Sequence, residues 1–173
     1  MDITIRKALP EDAREYTVCH ISCWLSAYQG IIPDEYFNGM LAEQEQRTER
    51  CRQAISAPGD CEFYCVMYAG RMIGRLIISN SRDEDKPDAG EINAIYLIKE
   101  FWNRGYGGEM LDFAMNALKH KGYNEVFLWV LEENERAKRF YEKHNFVFDG
   151  TKKEIVVGKP LIEIRYVFGN LYS

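Results

Sequence analysis

Gly105, Gly107 and Gly108 fall within four consecutive positions, in the stretch WNRGYGGEML, and helix-favouring residues follow at once. Glycine is costly at a helix start, so three together imply a bare backbone that something approaches closely. The unpaired N–H groups and positive dipole end of a helix attract anions, phosphate above all. Two known phosphate loops do not fit. Met110 stands where a dinucleotide fingerprint needs its third glycine, and no Gly-Lys-Ser/Thr follows. On these residues alone, a glycine-rich turn that merely opens a helix is the plainer alternative.

Metal chemistry has less support. Cys19 and Cys23 are four apart, as are Cys61 and Cys65, but no flanking histidine or turn glycine makes either pair a zinc knuckle. His20, His120 and His144 are scattered. We expect no metal, and with an odd cysteine count we expect reduced thiols.

These residues must be positioned by a chain of 173 residues, 46% hydrophobic and 13% aromatic, which is enough for one globular domain over 1–173. The net charge of −5 argues against a general nucleic-acid binder. No apolar run approaches a membrane span, and the N-terminal MDITIRKALPEDA has no signal-peptide segment, so the expectation is a cytoplasmic protein without a membrane partner.

ITIRKA alternates as a strand. Pro10 opens a helix with an apolar face through Ala13, Tyr16, Ile21, Trp24 and Tyr28; Leu9 is its poor N-cap. A second helical region, from Pro33 to Ile55, is interrupted near Gly39. A hairpin about Ala69-Gly70, an acidic loop and the strand EINAIYL lead to the glycine stretch and its helix. EVFLWVL is apolar on both faces and reads as a central strand. NERAKRFYEKHNF is a helix, and two strands close the chain, near 146–156 and 161–168. The order is strand, two helices, three strands, helix, strand, helix, two strands, an α/β mixed sheet with helices on both faces.

The run EINAIYLIKEFWNRGYGGEMLDFAMNAL resembles the acetyl-CoA-binding motif of the GCN5-related N-acetyltransferases, the GNAT superfamily. Gly105 and Gly107 match its two small positions, and Trp102 stands where Gln or Arg is usual. NERAKRFYEKHNF resembles the family's second segment through Asn134, Ala137, Phe140, Tyr141 and Phe146. Asn145 replaces a glycine there, and asparagine tolerates the left-handed conformation. The openings IRKALPEDA and WLSAYQGIIPDEYF also resemble family members, so the likeness spans essentially the whole chain.

The resemblance implies a single-domain fold with a mostly antiparallel twisted sheet of about seven strands. It implies acetyl-CoA as cofactor and a small-molecule or peptide amine as acceptor, with a homodimer as a possible assembly. Backbone N–H groups from Arg104 through Gly105, Tyr106, Gly107 and Gly108 to Glu109 would cradle the coenzyme A pyrophosphate. Backbone N–H groups of Ile95, Tyr96 and Leu97 would stabilise the thioester's carbonyl oxygen. The gap between this strand and EVFLWVL would receive the pantetheine arm, and Asn134, also a good helix N-cap, would bond that arm. Tyr141 would be the general acid for the departing thiolate, its alternative being a core tyrosine. Glu91 would be the base, directly or through a water, its alternative being an exposed strand-end glutamate; Asn93 would lie on the same side of the strand to place a water. Trp24 and Tyr28 would line the acceptor pocket. The acidic stretch Asp83, Glu84, Asp85, Asp88 would attract a cationic amine or simply be a solvated loop. Two other readings stay open: a non-catalytic acyl-CoA-binding module, and a protein acetyltransferase acting on a ribosomal or histone-like amine.

Overall fold

The computed structural model describes residues 2–169. The elements run β1 (Thr4–Lys7), α1 (Ala13–Ala27), α2 (Asp34–Ala42), α3 (Gln44–Ser56), β2 (Glu62–Tyr68), β3 (Arg71–Asn80), β4 (Gly90–Leu97), α4 (Tyr106–His120), β5 (Glu125–Leu131), α5 (Glu135–Lys143), β6 (Val147–Val157) and β7 (Lys159–Gly169). They build one sheet in the order β1-β2-β3-β4-β5-β7-β6. Every neighbouring pair is antiparallel except β4 with β5.

Two local departures have simple causes. Pro10–Asp12 forms a short 3-10 turn, so α1 begins only at Ala13. Leu9 cannot cap it, and the Asp12 carboxylate does so instead, accepting the Leu9 N–H at 2.7 Å and two Arg6 N–H groups at 2.6 and 2.8 Å. The second helical region is broken at Glu43 rather than near Gly39, giving α2 and α3 in place of one interrupted helix. Gly39 has open space around it and sits within α2, where no side chain is needed for packing.

The core has a layer on each side of the sheet. Leu111, Ala114 and Leu118 of α4 and Tyr141 of α5 pack on Leu76, Ile78, Ile92, Val126 and Leu128. On the other side α1 presents Tyr16, Cys19 and Cys23 to Cys65, Val66 and Ile73. β5 is central as its apolar pattern requires, with Val126, Phe127 and Leu128 all almost fully buried.

β4 sets the geometry of everything that follows. It pairs with β5 at only two positions, Gly90↔Val126 and Glu91↔Phe127, and the two strands then part. It also carries a bulge: Ile78 pairs with Ile92 and Ile77 with Ala94, leaving Asn93 as the extra residue. The bulge resets the alternation. Ile92 and Ile95, three apart, both join the α4/α5 side, while Tyr96 meets His20, Trp24 and Tyr28 of α1.

Candidate active site

The parted strands open a cleft in the middle of the sheet. Its inner part, about 70 Å³, is lined by Ile92 to Tyr96, Leu128 to Val130, Tyr28, Asn134 and Tyr141. A larger cavity of about 640 Å³ adjoins it, lined by Ile95 to Leu97, the glycine stretch and one wall of α5.

The glycines act in two ways. Gly105 is the residue before α4 and sits at φ +89, a left-handed conformation that a side chain would strain. A Cβ on Gly107 would lie 3.3 Å from the Phe140 ring, so this glycine lets α5 pack close to the loop. The N–H groups of Gly108 and Glu109 bond back to the Gly105 carbonyl at 2.9 and 3.3 Å. Among the described residues, those of Asn103 to Gly107 have no acceptor. The free donors therefore run from Asn103 to Gly107, starting one residue before and ending two residues before the expected span of Arg104 to Glu109. The side chains of Arg104 and Tyr106 turn to Phe101 instead of entering the cavity.

Asn134 caps α5, its carbonyl oxygen accepting the Ala137 N–H at 3.1 Å. It is 7% exposed, and among the described residues its amide N–H₂ has no partner at the inner cavity. Tyr141 is held by ring contacts with Phe140 and Phe146 and lines both cavities. No described residue bonds its hydroxyl, and burial raises its pKa well above the ordinary phenol value. Asn145 adopts φ +65, the left-handed turn after α5.

Tyr28 and Tyr96 share a hydrogen bond between hydroxyls at 2.8 Å on the α1 side of the cleft. Trp24 stands behind them, with ring contacts to Tyr28, Tyr36 and Tyr96, and lines neither cavity. Asn93 lines the inner cavity, and its buried side-chain oxygen has no partner.

Glu91 is placed differently from a free base. It is 2% exposed, lines neither cavity and gives both carboxylate oxygens to Arg82, which also donates its backbone N–H at 3.2 Å. The bulge further removes Asn93 from the simple two-residue alternation with Glu91. The acidic loop is neither a display of free charge nor merely solvated. Asp83 and Asp85 both bind the Arg165 guanidinium, itself 3% exposed and also bonded to Asp149 and Thr151. Only Glu84 and Asp88 of that stretch are exposed and without such a tie. Sequence reasoning missed Arg82, Arg165 and Arg136, the last of which lines both cavities. A lone arginine carries no spacing signal, so nothing in the sequence marked them.

Among the described residues no helix is long and apolar enough to cross a membrane, and no group of three or more His, Cys, Asp or Glu side chains could hold a metal ion.

Comparison with known proteins agrees with this geometry. The acetyltransferase (GNAT) family matches residues 24–146. An N-acetyltransferase of Bacillus subtilis, named YuaI, is 27% identical over 167 residues, covering 91% of this chain and 93% of that protein. A Mycobacterium tuberculosis protein named as a probable N-acetyltransferase is 28% identical over 173 residues, covering 99% and 94%. The crystal structure of a PaiA N-acetyltransferase from Thermoplasma acidophilum, in complex with coenzyme A, superposes with a TM-score of 0.75 at 23% identity, covering 97% of this chain and all of that one. The parted central strands, the free N–H groups before α4 and the capped, tyrosine-bearing α5 thus belong to a chain that is a member of the GNAT family of N-acetyltransferases.

Proposed function

We propose that the protein moves an acetyl group from acetyl-CoA directly to a primary amine. The observation that carries this reading is the set of unfilled polar groups along the cleft. It starts at the free N–H groups of Asn103 to Gly107, continues along the unpaired edge of β4 and ends at the Asn134 amide and the Tyr141 hydroxyl. Such groups fit a diphosphate followed by an amide-bearing arm.

Bound acetyl-CoA would supply the thioester. N–H groups before α4 hold the diphosphate, helped by the helix dipole. The β4 edge at Ile95 to Leu97 and the Asn134 amide orient the arm, and N–H groups near the carbonyl stabilise its developing charge. The Tyr141 hydroxyl donates its proton to the departing sulfur. Its raised pKa keeps that proton in place until a thiolate forms.

With both Glu91 oxygens engaged by Arg82, we assign Glu91 to fastening β4 to the loop that follows β3, at the position where β4 last pairs with β5. The amine's proton passes to a water held by the unpartnered oxygen of Asn93. Tyr28 and Tyr96 form the acceptor-side wall with Trp24 as their support. The test is thiol release from acetyl-CoA across a panel of amines, polyamines, aminoglycosides and peptides. Release that depends on an added amine supports the reading, and its absence for every amine with coenzyme A still bound leaves a binding module.

A further inference from the structure

Arg136 is the second residue of α5, and it lines both the large cavity and the inner one. Its guanidinium carbon lies 3.4 Å from the centre of the Trp102 ring. The indole N–H of Trp102 is bonded to the Leu97 carbonyl at 2.7 Å, which pins the ring to the end of β4. The contact therefore ties α5 to the loop before α4, with Arg136 on the wall the two cavities share and Trp102 on the larger one alone. Among the described residues Arg136 has no ion pair and no hydrogen bond. Arg139, also on this wall, lines the larger cavity only.

A guanidinium with all its N–H groups free has strong demand for a planar or phosphate anion. One aromatic face satisfies little of that demand, whereas a phosphate offers paired charge-assisted hydrogen bonds. The first free N–H of the loop belongs to Asn103, next in sequence to Trp102. The residue that holds the cation thus directly precedes the first free N–H, and Arg136 and the glycine stretch line the same large cavity.

We propose that Arg136 is a latch on the wall shared by the two cavities. Trp102 holds it while the cleft is empty. The diphosphate of coenzyme A draws it off, which adds a cation to the N–H cradle. This rests on the acyl-CoA reading given above.

The test uses the full chain, with coenzyme A and dephospho-coenzyme A as separate titrants. Both keep the diphosphate, and only the first carries the 3′-phosphate. Titration calorimetry on Arg136→Ala should show both ligands weakened roughly tenfold or more, and Arg136→Lys should recover part of the loss. Tryptophan emission should change when coenzyme A binds the wild type, because the cation leaves the ring. That change should shrink by more than half in Arg136→Ala and in Trp102→Leu. Arg136→Ala should melt close to the wild type, since the residue is exposed and bonded to nothing else. Affinity within twofold of wild type would overturn the latch. So would a loss confined to coenzyme A, which would place Arg136 on the 3′-phosphate, or an unchanged cofactor affinity with a raised KM for the amine. A wild type that binds neither titrant would remove the acyl-CoA reading itself, a result distinct from all three.

Discussion

The Arg82 guanidinium, in the loop between β3 and β4, closes on Glu91 of β4, with Nε 3.0 Å from one carboxylate oxygen and the second terminal nitrogen 2.5 Å from the other. The arginine is 65% exposed and the glutamate 2%. The pair is a buried carboxylate covered by a solvent-facing cation, at the last position where β4 and β5 still pair. Glu91→Gln keeps the shape and one acceptor. Turnover at neutral pH should stay within about threefold, while unfolding in urea should show a loss of about 1 kcal/mol from the weakened bond. A drop of a hundredfold in kcat with intact cofactor binding would return Glu91 to the role of base.

Tyr141→Phe preserves the packing against Phe140 and Phe146 and removes only the proton. Turnover should fall by about 10²–10⁴-fold, the range usual for a general acid. Coenzyme A affinity, read by calorimetry, should change less than threefold.

Gly107→Val places carbon where the Phe140 ring already sits 3.3 Å from a bare Cβ position. The ring must yield, and α5 with it. A stability loss of about 1–3 kcal/mol is expected from overpacking, together with loss of coenzyme A binding. Gly107→Ala should show the same pattern more weakly. Calorimetry and thermal melting on the two variants separate a blocked ligand from a shifted helix.

The rate should rise with pH along the titration of the acceptor amine, because among the described residues no free carboxylate faces the inner cavity to take its proton. Replacing one acceptor by another of lower pKa should move the rise by the same amount. A rise fixed near the carboxylate range for every acceptor would point to a protein base instead.

Acid stability has its own window. The Arg6 guanidinium bonded to Asp12 holds the carboxyl at about 2, below the usual carboxylate value. A carboxylate lowered on folding stabilises above its unfolded pKa of about 4 and loses that contribution as pH falls through about 2. Because Arg6 is partly exposed, the contribution is taken as about 1–2 kcal/mol. Asp12→Asn should lose that stability at neutral pH and flatten the dependence between about pH 4 and 2, measured by chemical unfolding.

The sequence made the fold legible wherever a periodic apolar pattern met glycine or proline punctuation. EVFLWVL as a central strand and the helix after Gly105 are examples, and so is the second motif ending in the left-handed Asn145. The break at Glu43 had no such mark, because α2 and α3 are both helix-favouring and only their packing separates them. Within the site, backbone positions were readable because glycines announce them. Partners of side chains were not. Arg82 is nine residues from Glu91, and Arg165 is eighty from Asp85. Pairings at such distances depend on which strand ends the sheet brings together. The bulge at Asn93 was hidden for the same reason, since a register shift needs both strands to be seen.

The parting of β4 and β5 has a consequence for amide hydrogen exchange. A strand in the middle of a seven-stranded sheet would ordinarily be among the slowest segments to exchange with heavy water. Here β4 keeps a full partner in β3 but faces an open edge beyond Glu91 on the other side. Its amides should divide into two sets within one strand. Those bonded to β3 should exchange only with global opening, and those turned to the cleft should exchange quickly. A ligand that completes the sheet by lying along that edge would protect the second set and leave the first unchanged. The pattern would report occupancy of the cleft residue by residue, without any need to know which amine the protein acetylates.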